Sequence, residues 1–142
     1  MVRHAVAVAR KDWPGDDRRR PLTARGDRQA AALPELLAEA SFEAVVSSPT
    51  ERCEATVRPL AAARGMRVKT SKALAEGRGD DAIDLVLDAI VDLVFCTHGD
   101  VVEIVIAQLR RLGWALPPHA RTPKGGSWKL SRERCEFLPA PA

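Results

Sequence analysis

The sequence is poor in aromatic residues and has no tyrosine. Phenylalanine and tryptophan together make up 4% of its 142 residues. Proteins that bind single-stranded nucleic acid stack the bases on aromatic side chains within a basic surface, so this scarcity argues against a nucleic acid polymer as partner. The formal net charge of +3 permits an anionic ligand without demanding nucleic acid.

Cysteine is also scarce. Cys53, Cys96 and Cys135 are odd in number, widely spaced and absent from any C-x-x-C pair. This pattern argues against a disulfide framework and against a zinc site, and free thiols are typical of a reducing cytosol. We therefore expect no metal and no cofactor.

Long apolar runs are missing as well. None approaches the roughly 20 residues needed to span a bilayer, and Arg3, His4 and Arg10 break any apolar segment of a signal peptide. We expect a cytoplasmic protein with no membrane partner. The length and the 46% hydrophobic content are typical of one compact domain over residues 1–142, with residues 139–142 as a disordered tail.

Apolar strands alternate with amphipathic helices along the chain. Apolar runs predict strands over residues 2–8, 42–47, 67–70, 93–97 and 127–131, with an edge strand over 135–138. Such alternation predicts an α/β fold, a three-layer α/β/α sandwich around a mostly parallel sheet. Only Met1 and Val2 precede Arg3, so we expect the first strand to be short and to support His4 weakly.

Three local signals mark the helices. Thr23 is the expected N-cap of the first helix, which Pro34 is expected to kink or divide. The segment Ser48-Pro49-Thr50-Glu51 matches a capping box with proline at the first helical position, so a second helix is predicted to begin at Pro49. Gly99 is predicted to begin the helix that follows the strand at 93–97.

Polar side chains follow the predicted strands at their carboxyl ends. His4 ends the core segment of the first strand, Arg52 lies in the first turn of the helix after the second, and His98 ends the strand before Gly99. Glu76 lies in the loop after the third strand. Ligands of open α/β sheets bind at this edge, and the helix N-termini found there favour anions.

This set of side chains suits a phosphate dianion. Arg3 and Arg52 offer bidentate hydrogen bonds, and they supply the positive charge that magnesium supplies elsewhere. A neutral imidazole is a competent nucleophile toward phosphorus, and neighbouring arginines lower its pKa. Glu76 is the best-placed carboxyl group to protonate a leaving oxygen.

Four motifs, in order, resemble the histidine phosphatase (phosphoglycerate-mutase-like) superfamily. They are VRHA at 2–5, RPLT at 20–23, SSP with the following Arg52 at 47–52, and CTHGD at 96–100. The sequence is most similar to the small protein phosphohistidine phosphatases and to the phosphatase-like domains fused to Nudix domains. The resemblance covers nearly the whole chain and implies the phosphoglycerate-mutase-like version of the α/β/α sandwich.

The resemblance also implies a role for each matched residue. His4 corresponds to the nucleophile that becomes phosphohistidine, and His98 to the second histidine, which binds the phosphoryl oxygens. Arg3 and Arg52 correspond to phosphate ligands.

Two further residues are weaker matches. Glu76, in Leu74-Ala75-Glu76-Gly77, is similar to the acid of the family, although phosphohistidine phosphatases can lack it and the residue can also be read as an ordinary loop carboxylate. Lys124, in Lys124-Gly125-Gly126, is a further candidate to reach the phosphate.

The expected function is that of a metal-independent phosphomonoesterase with a phosphohistidine intermediate, acting on protein phosphohistidine or a small phosphate ester. A mutase would need a covering lid, and the residues between Arg52 and His98 leave only a short loop for one. Two alternatives stay open. One is a nucleotide phosphatase linked functionally to a Nudix hydrolase. The other is a non-catalytic phosphate-binding domain of the same fold, which the short first strand suggests.

Overall fold

A six-stranded sheet forms the centre of the protein in a computed structural model that describes all residues from 1 to 142. The strands are β1 (Val2–Arg3), β2 (Ala44–Ser47), β3 (Val68–Thr70), β4 (Leu93–Thr97), β5 (Ser127–Leu130) and β6 (Cys135–Leu138). Their order is β3-β2-β4-β1-β5-β6. The first four strands in this order are parallel, whereas β5 and β6 are antiparallel additions at one side.

Four helices cover the two faces of the sheet. They are α1 (Ala24–Leu36), α2 (Glu51–Ala63), α3 (Gly79–Asp88) and α4 (Gly99–Arg111). α1 packs against α2, and α3 packs against α4. The predicted three-layer α/β/α sandwich with a mostly parallel sheet is therefore confirmed.

Successive residues of a central strand supply the two apolar cores in turn. In β2, Val45 belongs to the core beneath α1 and α2, and Val46 packs on the core beneath α3 and α4. In β4, Val94 and Phe95 divide in the same way. Because side chains alternate between the faces of a strand, an unbroken apolar run is the pattern that a strand buried on both faces requires.

The first strand is short, as expected, but its predicted bounds of 2–8 were wrong, because β1 has only two residues. It is nevertheless paired on both sides, since Val2 aligns with Cys96 of β4 and with Ser127 of β5. Beyond it, the backbone N–H of His4 donates to the carbonyl of Thr97 at 3.0 Å. Pairing with β4 and β5 therefore fixes the position of β1, although the strand has only two residues.

The structure also differs from two of the predictions made for the helices. Pro34 lies within α1 but does not divide it, because it falls in the last turn and the helix continues to Leu36. The predicted capping box does not form: α2 begins at Glu51, and the N-cap residue Thr50 makes no side-chain cap. Thr23, in contrast, caps α1 as predicted by accepting a hydrogen bond from the Gly26 N–H.

None of the helices combines the length and apolar character needed to cross a membrane. At the end of the chain, residues 139–142 have no regular secondary structure. The carbonyl of Pro141 accepts a hydrogen bond of 3.2 Å from the side chain of Gln29.

Candidate active site

His4 and His98 lie side by side at the carboxyl edge of the sheet. The register of β1 on β4 aligns Arg3 with Thr97. His4 directly follows Arg3 and His98 directly follows Thr97, so the two histidines lie next to each other. Their ring centroids are 5.5 Å apart in an edge-on arrangement, and both residues are buried. The sequence placed both histidines at strand ends, and the parallel register brings them together.

The hydrogen bond of His4 determines which ring nitrogen is available for chemistry. Nδ1 lies 2.8 Å from the carbonyl oxygen of Ala5. A carbonyl oxygen only accepts, so Nδ1 carries the proton of the neutral ring. The lone pair of Nε2 is therefore free, as a nucleophile toward phosphorus requires.

Burial keeps the His4 ring neutral. It is the largest cause that lowers the pKa of His4 to about 4, and the charge of Arg52 acts in the same direction, whereas the hydrogen bond to Ala5 opposes them. Sequence reasoning attributed this lowering to the arginines, but in the structure desolvation of the charged ring is the larger cause. At neutral pH the His4 ring is therefore neutral, which is the form that a nucleophilic role would require.

His98 is the N-cap residue of α4 and is held through Nε2. This atom lies 2.8 Å from Oγ of Ser48 and 3.6 Å from Sγ of Cys53. Nδ1 is buried and has no partner in the protein. When the Ser48 hydroxyl donates to Nε2, Nδ1 carries the proton and becomes an unused donor. Ser48 therefore orients this histidine instead of capping α2.

The Arg52 guanidinium is almost completely buried, with 1% of the residue exposed. Nη1 donates to the backbone carbonyl of Asp17 at 2.8 Å, and Nη2 lies 3.2 Å from its carboxylate. Nη2 also lies 3.6 Å from the carboxylate of Glu76. Nε is buried without a partner, which leaves a charged donor unused in the protein.

Asp17 is a residue of the candidate site that the sequence analysis did not single out. Its carboxylate contacts three arginines: Arg52, Arg20 at 2.9 Å and Arg10 at 3.4 Å. Burial opposes its ionisation, but the hydrogen bond from Arg20 and the charges of Arg52 and Arg10 outweigh burial and hold the pKa of Asp17 below its ordinary value. The cluster of basic residues around it was the available signal, since buried arginines need a carboxylate.

Arg3 is placed between the N-terminus of α4 and a loop that precedes β5. Nη1 donates to the carbonyl of Thr122 at 2.5 Å. The guanidinium passes so close to Gly99 that a Cβ at that position would lie 2.7 Å from Cζ of Arg3. Burial, followed by the charge of Arg121, lowers the pKa of Arg3, and its Nε is a third buried donor without a partner.

Glu76 reaches the rim of the site and is half exposed. Its carboxylate oxygens lie 3.2 and 3.3 Å from Nη2 of Arg10. The loop that carries it is anchored twice: the Thr97 hydroxyl donates to the carbonyl of Leu74, and the Gly77 N–H donates to the Asp100 carboxylate. The structure thus brings the predicted acid beside Arg52.

Lys124 lies in an exposed turn directly beside the two N-terminal site residues. The following amide, from Gly125, donates to the carbonyl oxygens of both Arg3 and His4. Burial is the first cause that lowers the pKa of Lys124, and the nearby charges of Arg3 and Arg20 add to it. Its ammonium therefore lies among cations and is available to an anion.

The comparison with protein families decides the family. The model of the histidine phosphatase superfamily (branch 1) matches residues 1–90. The chain belongs to this superfamily. Membership confirms the family resemblance of the four sequence motifs and agrees with the α/β/α sandwich described above.

Several known proteins of this superfamily type are similar to the chain over most of its length. An 8-oxo-(d)GTP phosphatase of Mycolicibacterium smegmatis (strain ATCC 700084 / mc(2)155) is 28% identical over 99% of this chain. The chain spans 46% of that relative's length, so it corresponds to less than half of the relative.

Solved structures show the same fold. One from Agrobacterium tumefaciens, named as a phosphohistidine phosphatase SixA, superimposes with a TM-score of 0.77 at 24% identity and covers 99% of this chain and 96% of its own. The protein histidine phosphatase SixA complexed with tungstate gives a TM-score of 0.67 at 18% identity, over 96% of this chain and 90% of its own.

Proposed function

We propose that this histidine phosphatase domain hydrolyses phosphomonoesters through a phosphohistidine formed on His4. The observation that carries the proposal is the state of the His4 ring, whose Nδ1 is bonded to a carbonyl and whose Nε2 lone pair is free. The ring stays neutral at physiological pH because burial lowers its pKa to about 4. A buried neutral imidazole beside cationic side chains is suited to attack an anionic phosphoryl group.

The unused donors around His4 support a phosphate site. Buried polar groups are nearly always hydrogen-bonded, yet Nε of Arg3, Nε of Arg52 and Nδ1 of His98 have no partner in the protein. These donors belong to three of the four residues that the sequence predicted as phosphate-binding; the fourth is Lys124. A phosphoryl group has the charge and the acceptor oxygens to satisfy them.

The proposed reaction has two steps. In the first, Nε2 of His4 attacks phosphorus, a P–N bond to His4 forms as the bond from phosphorus to the leaving group breaks, and Glu76 or water protonates the leaving atom. In the second, water attacks phosphorus and passes its proton to the base left by the first step, the Glu76 carboxylate or hydroxide. The P–N bond to His4 breaks, and Nε2 recovers its electron pair as phosphate leaves. Arginine side chains stabilise the charge in both steps, so we expect no requirement for a metal.

Turnover of 4-nitrophenyl phosphate tests this proposal. We expect activity that survives EDTA and is abolished by His4→Ala, because that variant lacks the nucleophile. Equal inactivity of wild type and variant, with both binding inorganic phosphate, would instead favour the non-catalytic phosphate-binding domain. The backbone N–H of His4 is hydrogen-bonded and the residue is buried, so His4 is well fixed. This favours a catalytic domain over a non-catalytic one, which had been suggested by the short first strand.

We propose protein phosphohistidine or a small phosphate ester as the substrate, with a nucleotide as the second candidate. The fold shared with proteins named as phosphohistidine phosphatases fits the first. The likeness to an 8-oxo-(d)GTP phosphatase over 99% of the chain favours the second. The resemblance of the sequence motifs to phosphatase-like domains fused to Nudix domains adds, for that candidate, a functional link to a Nudix hydrolase. Comparing kcat/KM for a phosphohistidine peptide with that for nucleoside di- and triphosphates separates the two substrates.

A further inference from the structure

Glu103 takes no part in the proposed chemistry, yet it is connected to the phosphate site. It lies on α4, and its Oε1 accepts a hydrogen bond of 2.8 Å from the backbone N–H of Thr122. The carbonyl of Thr122 in turn accepts the 2.5 Å hydrogen bond from Nη1 of Arg3. The backbone of a single residue therefore connects the Glu103 carboxylate to the Arg3 guanidinium.

Apart from these two backbone hydrogen bonds, Thr122 is hydrogen-bonded only through its side chain. It is fully buried, and its hydroxyl accepts a hydrogen bond of 3.0 Å from the indole N–H of Trp128. It lies outside the strands and helices, so no sheet or helix partner fixes its peptide groups. Glu103 is the partner of the Thr122 N–H, so it fixes the peptide group that directly precedes the carbonyl used by Arg3.

His119 supports Glu103 from the opposite side. Nη2 of Arg110 lies 3.2 Å from Nδ1 of His119, and an arginine only donates, so Nδ1 accepts and Nε2 carries the proton. Nε2 donates to Oε2 of Glu103 at 3.0 Å. The ring is packed edge-on against Trp128 with centroids 4.7 Å apart and is 10% exposed.

We propose that Glu103 is a positioning residue for phosphate binding, which fixes the Thr122 backbone so that its carbonyl holds the Arg3 guanidinium over Gly99. The inference rests on the proposed function in one respect only, namely that Arg3 binds the phosphoryl group. Glu103 itself does not contact the phosphate. Its contribution reaches the ligand through Arg3.

Affinity for inorganic phosphate, measured by calorimetry, tests this positioning role. We expect Glu103→Ala to weaken phosphate binding about tenfold, as the loss of a residue that orients a ligand-binding group does. Glu103→Gln keeps an acceptor oxygen for Thr122 and should stay within about threefold of wild type. Asp84→Ala removes an exposed carboxylate of α3 and should leave binding unchanged.

A double-mutant cycle separates positioning from a general effect on the fold. In an Arg3→Ala background, Glu103→Ala should cause no further loss of phosphate affinity, because the group it positions is gone. The same tenfold loss in both backgrounds would overturn the inference, and so would a Gln variant as weak as the Ala variant. If Glu103→Ala is unfolded in a thermal melt, Glu103→Met, which fills similar volume without an acceptor, takes its place.

These outcomes are distinguishable from a failure of the proposed function. A chain that binds phosphate in an Arg3-dependent and Glu103-dependent way but does not turn over 4-nitrophenyl phosphate would refute the enzyme and leave the positioning role standing. If Arg3→Ala binds phosphate as wild type does, Arg3 is not a ligand and the positioning role is refuted.

Discussion

The ring of His98 lies edge-on to that of His4, with 5.5 Å between the centroids, because both residues follow directly on paired residues of the parallel strands β1 and β4. The His4 ring is fixed through Nδ1 to the backbone carbonyl of Ala5, and the His98 ring through Nε2 to the Ser48 hydroxyl. The two imidazoles therefore present different nitrogens. One presents a free lone pair and the other a nitrogen without a partner.

The first prediction concerns His98. If its Nδ1 stabilises the phosphoryl oxygens, His98→Ala should lower kcat for 4-nitrophenyl phosphate by roughly 10²–10³-fold, as the loss of a transition-state donor does. Ser48→Ala leaves the ring in place but frees its orientation, so a smaller loss of about tenfold is expected. An unchanged kcat in a folded His98→Ala variant would exclude this role.

The second prediction concerns acid stability. The pKa of His4 is about 4 in the folded protein, against an ordinary value of 6.5, so the unfolded chain binds the proton more tightly. The stabilisation is fully present above pH 6.5 and is lost as the pH falls toward 4, by about 3 kcal/mol from this residue alone. Urea unfolding at a series of pH values measures it.

His4→Gln provides the control for that measurement, because it keeps a polar side chain without a proton to gain. We expect its free energy of unfolding to fall less steeply between pH 6.5 and 4. The buried α-amino group of Met1, whose pKa burial lowers to about 6, contributes in a separate window between pH 8 and 6. Identical slopes for variant and wild type below pH 6.5 would contradict the prediction.

The third prediction concerns Glu76 as general acid. A 4-nitrophenolate leaves without protonation, whereas an alkoxide needs a proton from the enzyme. We therefore expect Glu76→Gln to reduce kcat for an alkyl phosphate by about 10²-fold and to leave 4-nitrophenyl phosphate turnover within a few fold. Equal losses on the two substrates would indicate that Glu76 acts only through its ion pairs with Arg10 and Arg52.

The fourth prediction concerns Asp17, whose carboxylate accepts from the buried Arg52. Asp17→Ala leaves this guanidinium with fewer partners, so we expect a loss of about 1–3 kcal/mol in the free energy of unfolding and a higher KM. Asp16→Ala is a matched control, because Asp16 pairs only with the exposed Arg18. If the two variants behaved alike, Asp17 would have no special part in holding Arg52.

The fifth prediction concerns Gly26 in the first turn of α1. A Cβ there would lie 2.0 Å from the backbone carbonyl oxygen of Val6, which cannot move aside as a side chain can. Gly26→Ala should therefore destabilise the fold by about 1–3 kcal/mol, as overpacking does. Gly65→Ala, which has open space but a φ of 65°, should cost only about 1 kcal/mol. Thermal melts of both variants compare the two effects.

Sequence patterns were most informative where local and tertiary requirements coincide. The apolar run of β4 was predicted with its observed bounds of Leu93–Thr97, and so was the beginning of α4 at Gly99. A strand buried on both faces must be apolar throughout, so the apolar run indicated β4. The glycine that follows His98 marked the point where the apolar run ends and the helix begins. His98, between the two, could therefore be placed on the ligand-binding edge of the sheet.

Local signals failed where a distant partner competes for the same group. The Ser48 hydroxyl could have capped α2, but His98, which follows the neighbouring strand, binds it instead. β1 was predicted to extend over residues 2–8, yet the Ala5 N–H donates to the Thr56 side chain rather than to a strand. Such choices depend on which side chains the fold brings near, and the local sequence does not contain that information.

Residue types and their periodicity were enough to predict the α/β sandwich, the edge of the sheet that carries the candidate site and four side chains of that site. Tertiary structure alone decided the state of those side chains: the free Nε2 of His4, the ion pair of Asp17 with Arg52, and the path from Glu103 to Arg3. The physical reason is that hydrogen-bond partners and desolvation arise between segments far apart in sequence. They exist only after the sheet has brought these segments together.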